Sequence, residues 1–568
     1  VHVISDDEVM RTLQLMHRRP EDPLTTAVAR DVCRRTDGNA VLGGSLTLLN
    51  REYVLGLNAI DCRTGDIVAR EQARASRKED VLAAVDDAAV DLRKKLGESA
   101  GSSPLLDRHI HEMLTTVSLD AFQAYTAAEH NVLTKGGWST IPLFERAIGL
   151  DPDFAYAHAA VGLVLGNMGE AARSAAHVEK AYELRDRVSE WERFFIAAQY
   201  NDRVTGDIEK NVSLCDLWIQ AYPYERTAHN RLAVTFNQLG QPARALSELE
   251  QARHVGHEHP IDVDYWAATA MRVDRLQEAT TVLRQALEQT PDRLGFRRDF
   301  YRASFLAGNH KAMAEQMEWA NDVPGADAMF FDQSDTEGYF GRMQRARLSL
   351  QHAVQAATRN EFKGNGAVWS GVGALRDALV GEAESARGQA HAALALEDNW
   401  ETRAFVATAL ARVGDISDAR ELATKLNAER PFSTLVQNYW LPSIRAEIEV
   451  RSGHAAKAID VLRAAEPYDL ADTRVPLLPA YLRGEAYLAA RNGHGAAGEF
   501  RKLLQHPGVV GNSPLGSLAH VGLARALVLL GDSANAKKEY ELFFGLWRDA
   551  DAALPVLIQA KKEYRAMK

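Results

Sequence analysis

Seven times along this chain a glycine closes a helix-like apolar run and is followed five residues later by a small or apolar residue. The pairs are Gly240/Ala245, Gly308/Met313, Gly341/Ala346, Gly381/Ala386, Gly414/Ala419, Gly453/Ala458 and Gly531/Ala536. Glycine ends a helix well because it enters the left-handed backbone conformation that a Cβ disfavours. The later residue falls inside the next helix, where a small side chain lets two backbones approach. A device that recurs in this way is an internal repeat. Repeated helix pairs bury their apolar faces by stacking on one another, not around a single centre. The pattern therefore predicts a mostly α-helical solenoid that offers an extended binding surface rather than a single catalytic pocket.

Two adjacent units make the period explicit. Ala245 to Ala279, Leu249 to Leu283 and Ala252 to Ala286 are each 34 residues apart, as are Ala279 to Met313 and Ala286 to Ala320. Later units are longer, with Ala419, Ala458 and Ala497 spaced by 39. Proline often closes a unit, as in LDP (150–152), AYP (221–223), QTP (289–291) and ERP (429–431), and bars the helix from continuing. The repeat resembles the tetratricopeptide family. In the best copy, 226–257, Leu232, Ala233, Phe236, Leu239, Gly240, Ala245, Leu249 and Ala252 fall at the family's signature positions. Copies at 400–431 (Ala407, Leu410, Gly414, Ala419, Pro431) and 517–550 (Leu523, Ala524, Leu530, Gly531, Ala536, Tyr540) match nearly as well, while 155–188 and 189–223 depart at several positions. The resemblance implies a right-handed superhelix over 118–568, with the first helix of each pair lining a concave groove. The closing segment 554–568 reads as an amphipathic helix capping the last repeat.

Residues 1–100 are different. Helical patterns at 6–17 and 25–36, the latter with Thr25 as N-cap, precede alternating apolar runs at 40–49 and 53–62. The short Asn50-Arg51-Glu52 link reads as a hairpin, a third strand follows the turn at Thr64-Gly65-Asp66, and a helix spans 78–96. This is a small α/β domain with an antiparallel meander, joined to the repeats by a linker at 101–117 whose composition begins at Glu98. Because the chain opens on Val1 in a strand-like VHVI, it reads as a fragment whose first strand lies upstream. Cys33 and Cys62 read as two separate buried thiols, with a disulfide as the alternative for a domain folding outside the cytoplasm. Cys215 reads as a core thiol.

Charged residues make up 25% of the chain and the net charge of -11 carries no basic stripe, which argues against a nucleic-acid partner. The longest apolar stretches fall short of the roughly 20 residues that span a bilayer. No phosphate-loop, zinc-protease, nucleophile-elbow or kinase catalytic signature occurs, so the chain is read as non-catalytic and no cofactor is implied. The glycines of GNGAVWSGVG (364–373) read as a loop between repeats. His254, His257 and His259, with Glu258, are a candidate zinc set on the spacing of HVGHEHP, set against a solvated inter-repeat loop. Aromatic runs at 191–195, 265–266 and 439–440 read as knobs that fill gaps between helices. The remaining candidate surface is the groove, where Asn230, Asn237, Asp264, Arg298 and Arg302 form an amide–guanidinium row suited to a peptide backbone or a carboxylate.

Longer strings carry a second resemblance: VARDVCRRTDGNAVLGGSL (28–46), CRTGDIVAREQ (62–72), RKEDVLAAV (77–85), TGDIEKNVSLCDLWIQAYP (205–223) and FFGLWRDADAALPVLIQAKKEY (543–564). In these the chain looks like the region that follows the kinase domain in bacterial eukaryotic-like serine/threonine kinases with tetratricopeptide repeats. The resemblance implies a partner- or signal-binding scaffold, on the far side of a membrane from its kinase and with protein or peptide partners in the groove. Exposed terminal repeats leave homodimerisation open. The alternatives are the effector half of a transcription regulator with an upstream DNA-binding domain, and, on the histidine cluster, a metal-dependent enzyme.

Overall fold

The computed structural model describes residues 24–97, 116–134, 137–255, 260–321, 323 and 325–567, with six scattered positions between 9 and 18. Most of the helical pattern at 6–17 and of the linker at 101–117 lies outside the described residues.

The N-terminal unit is the expected meander. Strands β1 (Ala40–Leu49), β2 (Glu52–Asp61) and β3 (Ile67–Ala75) pair antiparallel in that order. Register between β1 and β2 runs unbroken from Ala40↔Asp61 to Leu49↔Glu52, because a two-residue turn at Asn50 and Arg51, both at positive φ, has the twist a hairpin requires. At the next corner Asp61 Oδ1 accepts the backbone N–H groups of Arg63 and Thr64, each at 2.8 Å. Thr25 caps the helix Thr26–Arg35 through its side chain, and the helix Val81–Lys95 covers one sheet face through Leu92 against Ala59 and Ala69. The structure corrects one reading: Cys33 and Cys62 are joined in a disulfide that pins the helix Thr26–Arg35 to the end of β2. Both side chains are buried, and a crosslink of this kind compensates for the small core of such a unit. Cys215 is a buried free thiol, as expected, and burial pushes it up to about 12.

From Leu119 onward the chain is a solenoid of antiparallel helix pairs. All seven repeat glycines have positive φ, between 66° and 97°, and every paired downstream residue from Ala245 to Ala536 is buried. The same turn recurs where the sequence offers no glycine: Asp274, Glu361 and Arg491 take φ of 64°, 64° and 57°. Two weak copies fall in step through Gly169 and Gly206, each followed five residues later by a buried Ser174 or Asn211. The aromatic runs fill gaps between helices as expected; Phe194 stacks on Trp218, and Tyr156 sits 5.1 Å from Phe195. At the C-terminus the helix Pro555–Ala566 closes the last pair through Glu563, which accepts from Arg525 at 2.9 Å and Tyr540 at 2.8 Å.

One segment departs from expectation. GNGAVWSGVG is not a loop but the start of the helix Lys363–Val380, buried from Gly364 to its end. Its glycines serve close packing: a Cβ on Gly373 would lie 2.3 Å from both Leu350 and Gln389, and one on Gly371 would lie 3.2 Å from Phe405. A helix surrounded on all sides loses its polar stripe, so the amphipathic signal vanishes.

Successive coils of the solenoid stack directly on each other. Thr434 N donates to Gly206 O at 2.9 Å, Asp472 N to Asn237 O at 2.9 Å, and Asp551 N to Gly341 O at 3.0 Å. Asn365 N reaches the Glu170 carboxylate 195 residues away, and Arg430 reaches Arg203 O 227 residues away. In each case the turn inside a helix pair of one coil meets a connection or helix start in the next. A Cβ on Gly508 would fall 1.8 Å from Met271 O, so that contact admits glycine alone.

The left-handed turns make a sharp prediction. Gly414 has φ of 97°, and a Cβ added there would meet nothing within 4 Å, so only backbone conformation opposes Gly414→Ala. The midpoint of denaturation of that variant should fall by an equivalent of about 1–2 kcal/mol, while Arg491→Gly should gain up to about 1 kcal/mol. Equal midpoints for both variants and the parent would refute this account of the turn.

Candidate functional site

The inner faces of four consecutive first helices, Arg226–Gln238, Pro260–Arg272, Leu294–Leu306 and Asp327–Tyr339, converge on one cavity of about 650 Å³. Stacking of the coils shuts this face from the opposite side, with Trp400, Phe405, Arg430, Trp440, Arg474 and Asn512 among the residues the second coil contributes. The expected groove is therefore an interior chamber, because the turns that close each helix pair also serve as docking points for the next coil.

Four of the five groove residues, Asn237, Asp264, Arg298 and Arg302, line this chamber, and Asn230 does not. Each is engaged by the protein itself. Asn230 donates to Asp262 at 2.6 Å and Asn237 to Thr269 at 2.8 Å, tying neighbouring repeats together. Arg293 holds Asp264 at 2.8 Å. Arg298 and Arg302 both grip one carboxylate, Asp332, each through Nε and Nη2 at 2.8–3.1 Å. The row is thus a ladder between repeats; Arg302 Nη1 faces Asp299 at 3.9 Å, and what the row leaves for a ligand is the outer edge of Arg298.

Burial sets the charge state of this wall. It pushes the carboxyls of Asp299 and Asp335 up to about 7 and raises Asp264 despite its arginine. Burial would raise Asp332 as well, but Arg298 and Arg302 override it and hold that carboxylate below its ordinary value.

Sequence reasoning misses the second-coil contribution, above all Arg474. Its segment lies in the stretch that lengthens the unit between Ala458 and Ala497, so the longer spacing is the available signal. Two turns of π-helix, Tyr200–Thr205 and Val436–Trp440, border the chamber and are likewise invisible to a 3.6-residue period. Of the histidine set, His254 sits at the end of the helix Pro242–Val255, and His257 and His259 lie outside the described residues. Among the described residues no group of three potential metal ligands occurs, and no helix is long and apolar enough to cross a membrane.

No family model and no curated protein matches the chain. Among solved structures, yeast Tom70 aligns at 13% identity over 73% of this chain and 96% of its own, with a TM-score of 0.30. The human IFIT1 dimer with m7Gppp-AAAA aligns at 17% identity over 64% and 85%, with a TM-score of 0.35, and the Cut9–Hcn1 assembly at 13% over 78% and 95%, with 0.29. Likenesses this distant carry no argument about function, and the fold rests on the chain's own repeats.

The buried carboxyls give a pH dependence. Free aspartate titrates near 3.9, so between about pH 4 and 7 the folded chain binds protons at Asp299 that the unfolded chain releases. Its contribution to stability is full below that window and is lost as pH rises through 7. The denaturation midpoint of Asp299→Asn should fall less than that of the parent between pH 5 and 8. Parallel curves would contradict the assignment.

Proposed function

We propose that this chain is a non-catalytic scaffold and the signal-binding half of a larger signalling protein. Its inner chamber takes a small polar molecule, and the outer faces of the repeats meet protein partners. The observation that carries this reading is the convergence of polar side chains from four consecutive repeats and from the second coil on one chamber. An extended peptide would have to displace the coil contacts at Gly206, Asn237 and Gly341 to lie along the inner face. Chambers of several hundred cubic ångströms with a few charged groups are the usual form of small-ligand sites.

The string-level resemblance supports a bacterial serine/threonine kinase as the remainder of the protein, and no residue of this chain is assigned kinase chemistry. The Cys33–Cys62 disulfide supports placing the module in an oxidising compartment, the far side of the membrane from a cytoplasmic kinase. An upstream winged helix in place of a kinase domain would favour the transcription-regulator alternative.

The test is a thermal-shift screen of the purified chain against small polar metabolites and, in parallel, a set of extended peptides. Saturable stabilisation by a small molecule is expected, and at a concentration one hundred times its Kd it corresponds to about 2.7 kcal/mol. Stabilisation by extended peptides alone would overturn the reading.

A further inference from the structure

The buried arginines of this protein follow a rule, and a half-buried one in the chamber wall departs from it. Arg376 is paired with Asp335 at 3.2 Å, Arg412 with Glu447 at 2.5 Å, Arg483 with Asp469 at 2.6 Å and Arg293 with Asp264 at 2.8 Å. Arg430 donates to the carbonyls of Val204 and Arg203. Pairing of this kind is what makes a buried charge tolerable. Arg474 lines the chamber with no hydrogen bond or ion pair among the described residues; its guanidinium lies only over the Trp369 ring, 4.8 Å from the centroid.

The position of Arg474 is enforced. Tyr439, fully buried, donates its hydroxyl to Val475 O at 2.6 Å and accepts from Thr473 Oγ1 at 3.3 Å and Leu478 N at 3.2 Å, fixing the chain on both sides. The ring beneath is fixed too: Trp369 stacks on Phe331 at 4.0 Å and donates to Asp327 at 3.0 Å. Burial lowers the affinity of Arg474 for its proton, and the nearby charges of Arg298 and Arg302 act in the same direction against the opposing pull of Glu401. Arg298 and Arg302 share the chamber wall with Arg474 and together grip one carboxylate, Asp332; of the other carboxylates lining it, Asp264, Asp335 and Asp472 are held by Arg293, Arg376 and Arg272. A neighbouring carboxyl, Asp299, is half protonated near pH 7.

The geometry points to an oxyanion site in the chamber: Arg474, with the outer edge of Arg298, binds the carboxylate or phosphate group of a small organic anion. This rests on the small-ligand reading above and names the chemistry of its ligand. The planar fork of arginine suits both groups, which present two oxygens side by side, and the Trp369 ring lies beneath it.

The experiment compares the wild-type chain with Arg474→Gln and Arg474→Lys by thermal shift and calorimetry. The probes are inorganic phosphate, glycerol phosphate and succinate, against glycerol and succinamide as neutral counterparts. At least one anion should raise the wild-type midpoint well above its neutral counterpart, and which one does so separates phosphate from carboxylate recognition. In Arg474→Gln the Kd for that anion should rise at least tenfold, while the ligand-free midpoint stays level or rises because an unpaired charge has been removed. A purely structural arginine gives the opposite pair of results, a lower ligand-free midpoint with anion binding unchanged, and that outcome overturns the proposal. Arg474→Lys keeps a charge over Trp369 without the fork and should bind with intermediate affinity. If no anion exceeds its neutral counterpart but a neutral metabolite binds the chamber, the oxyanion site fails and the small-ligand reading stands; if no small molecule binds, both fail.

Discussion

Everything in the solenoid's interior depends on the contact between the left-handed turn of one helix pair and the connection it meets one coil later. The turn is compact because its residue has positive φ, and it exposes a carbonyl where the helix ends. Gly206 O and Gly341 O each receive an amide N–H from the next coil, as does Asn237 O just before the turn at Gly240. A hydrogen bond of this kind contributes about 0.5–1.5 kcal/mol net, and several of them in register along two coils convert an open spiral into a closed one. Closure then decides what the inner face can be. A surface suited to gripping a peptide becomes the wall of a chamber, and the polar residues on it are buried, paired and shifted in their titration.

Pairing accounts for most of that wall. Neighbouring first helices are laced by Asn230 to Asp262, Asn237 to Thr269, Arg293 to Asp264 and the double grip on Asp332. These links sit about one repeat apart in sequence, and each satisfies groups that burial would otherwise penalise. Arg474 stands outside this scheme: the segment that carries it is fixed by Tyr439, and its guanidinium lies over Trp369 with no hydrogen bond or ion pair among the described residues. A half-buried guanidinium with no carboxylate partner adds little to stability, the pattern expected where binding has been favoured over it.

The repeat is legible because its two determinants are local: a residue that tolerates positive φ, and a small residue five positions on. Where another residue takes the turn, as at Asp274 or Arg491, the signal disappears although the geometry persists. The helix Lys363–Val380 reads as a loop for a related reason, since burial on every side removes the polar stripe that marks a helix. Period alone puts Asn237, Asp264, Arg298 and Arg302 on the inner face of their helices. Their partners Asp332 and Thr269 lie a repeat away, and Arg474 a coil away, at separations no local pattern encodes. The Cys33–Cys62 pairing escapes the sequence for the same reason, because it depends on how the helix Thr26–Arg35 folds against β2.

The stacking of coils is tested most directly by amide hydrogen exchange at Thr434, Asp472 and Asp551. The N–H groups of Asp472 and Asp551 lie in connections between repeats and that of Thr434 at a helix start, and their acceptors are Asn237 O, Gly341 O and Gly206 O on the preceding coil. Stacked coils predict protection of all three comparable to that of the neighbouring helices. Exchange at the rate of a solvated loop would mean that the coils are apart, the chamber open and the inner face a groove after all.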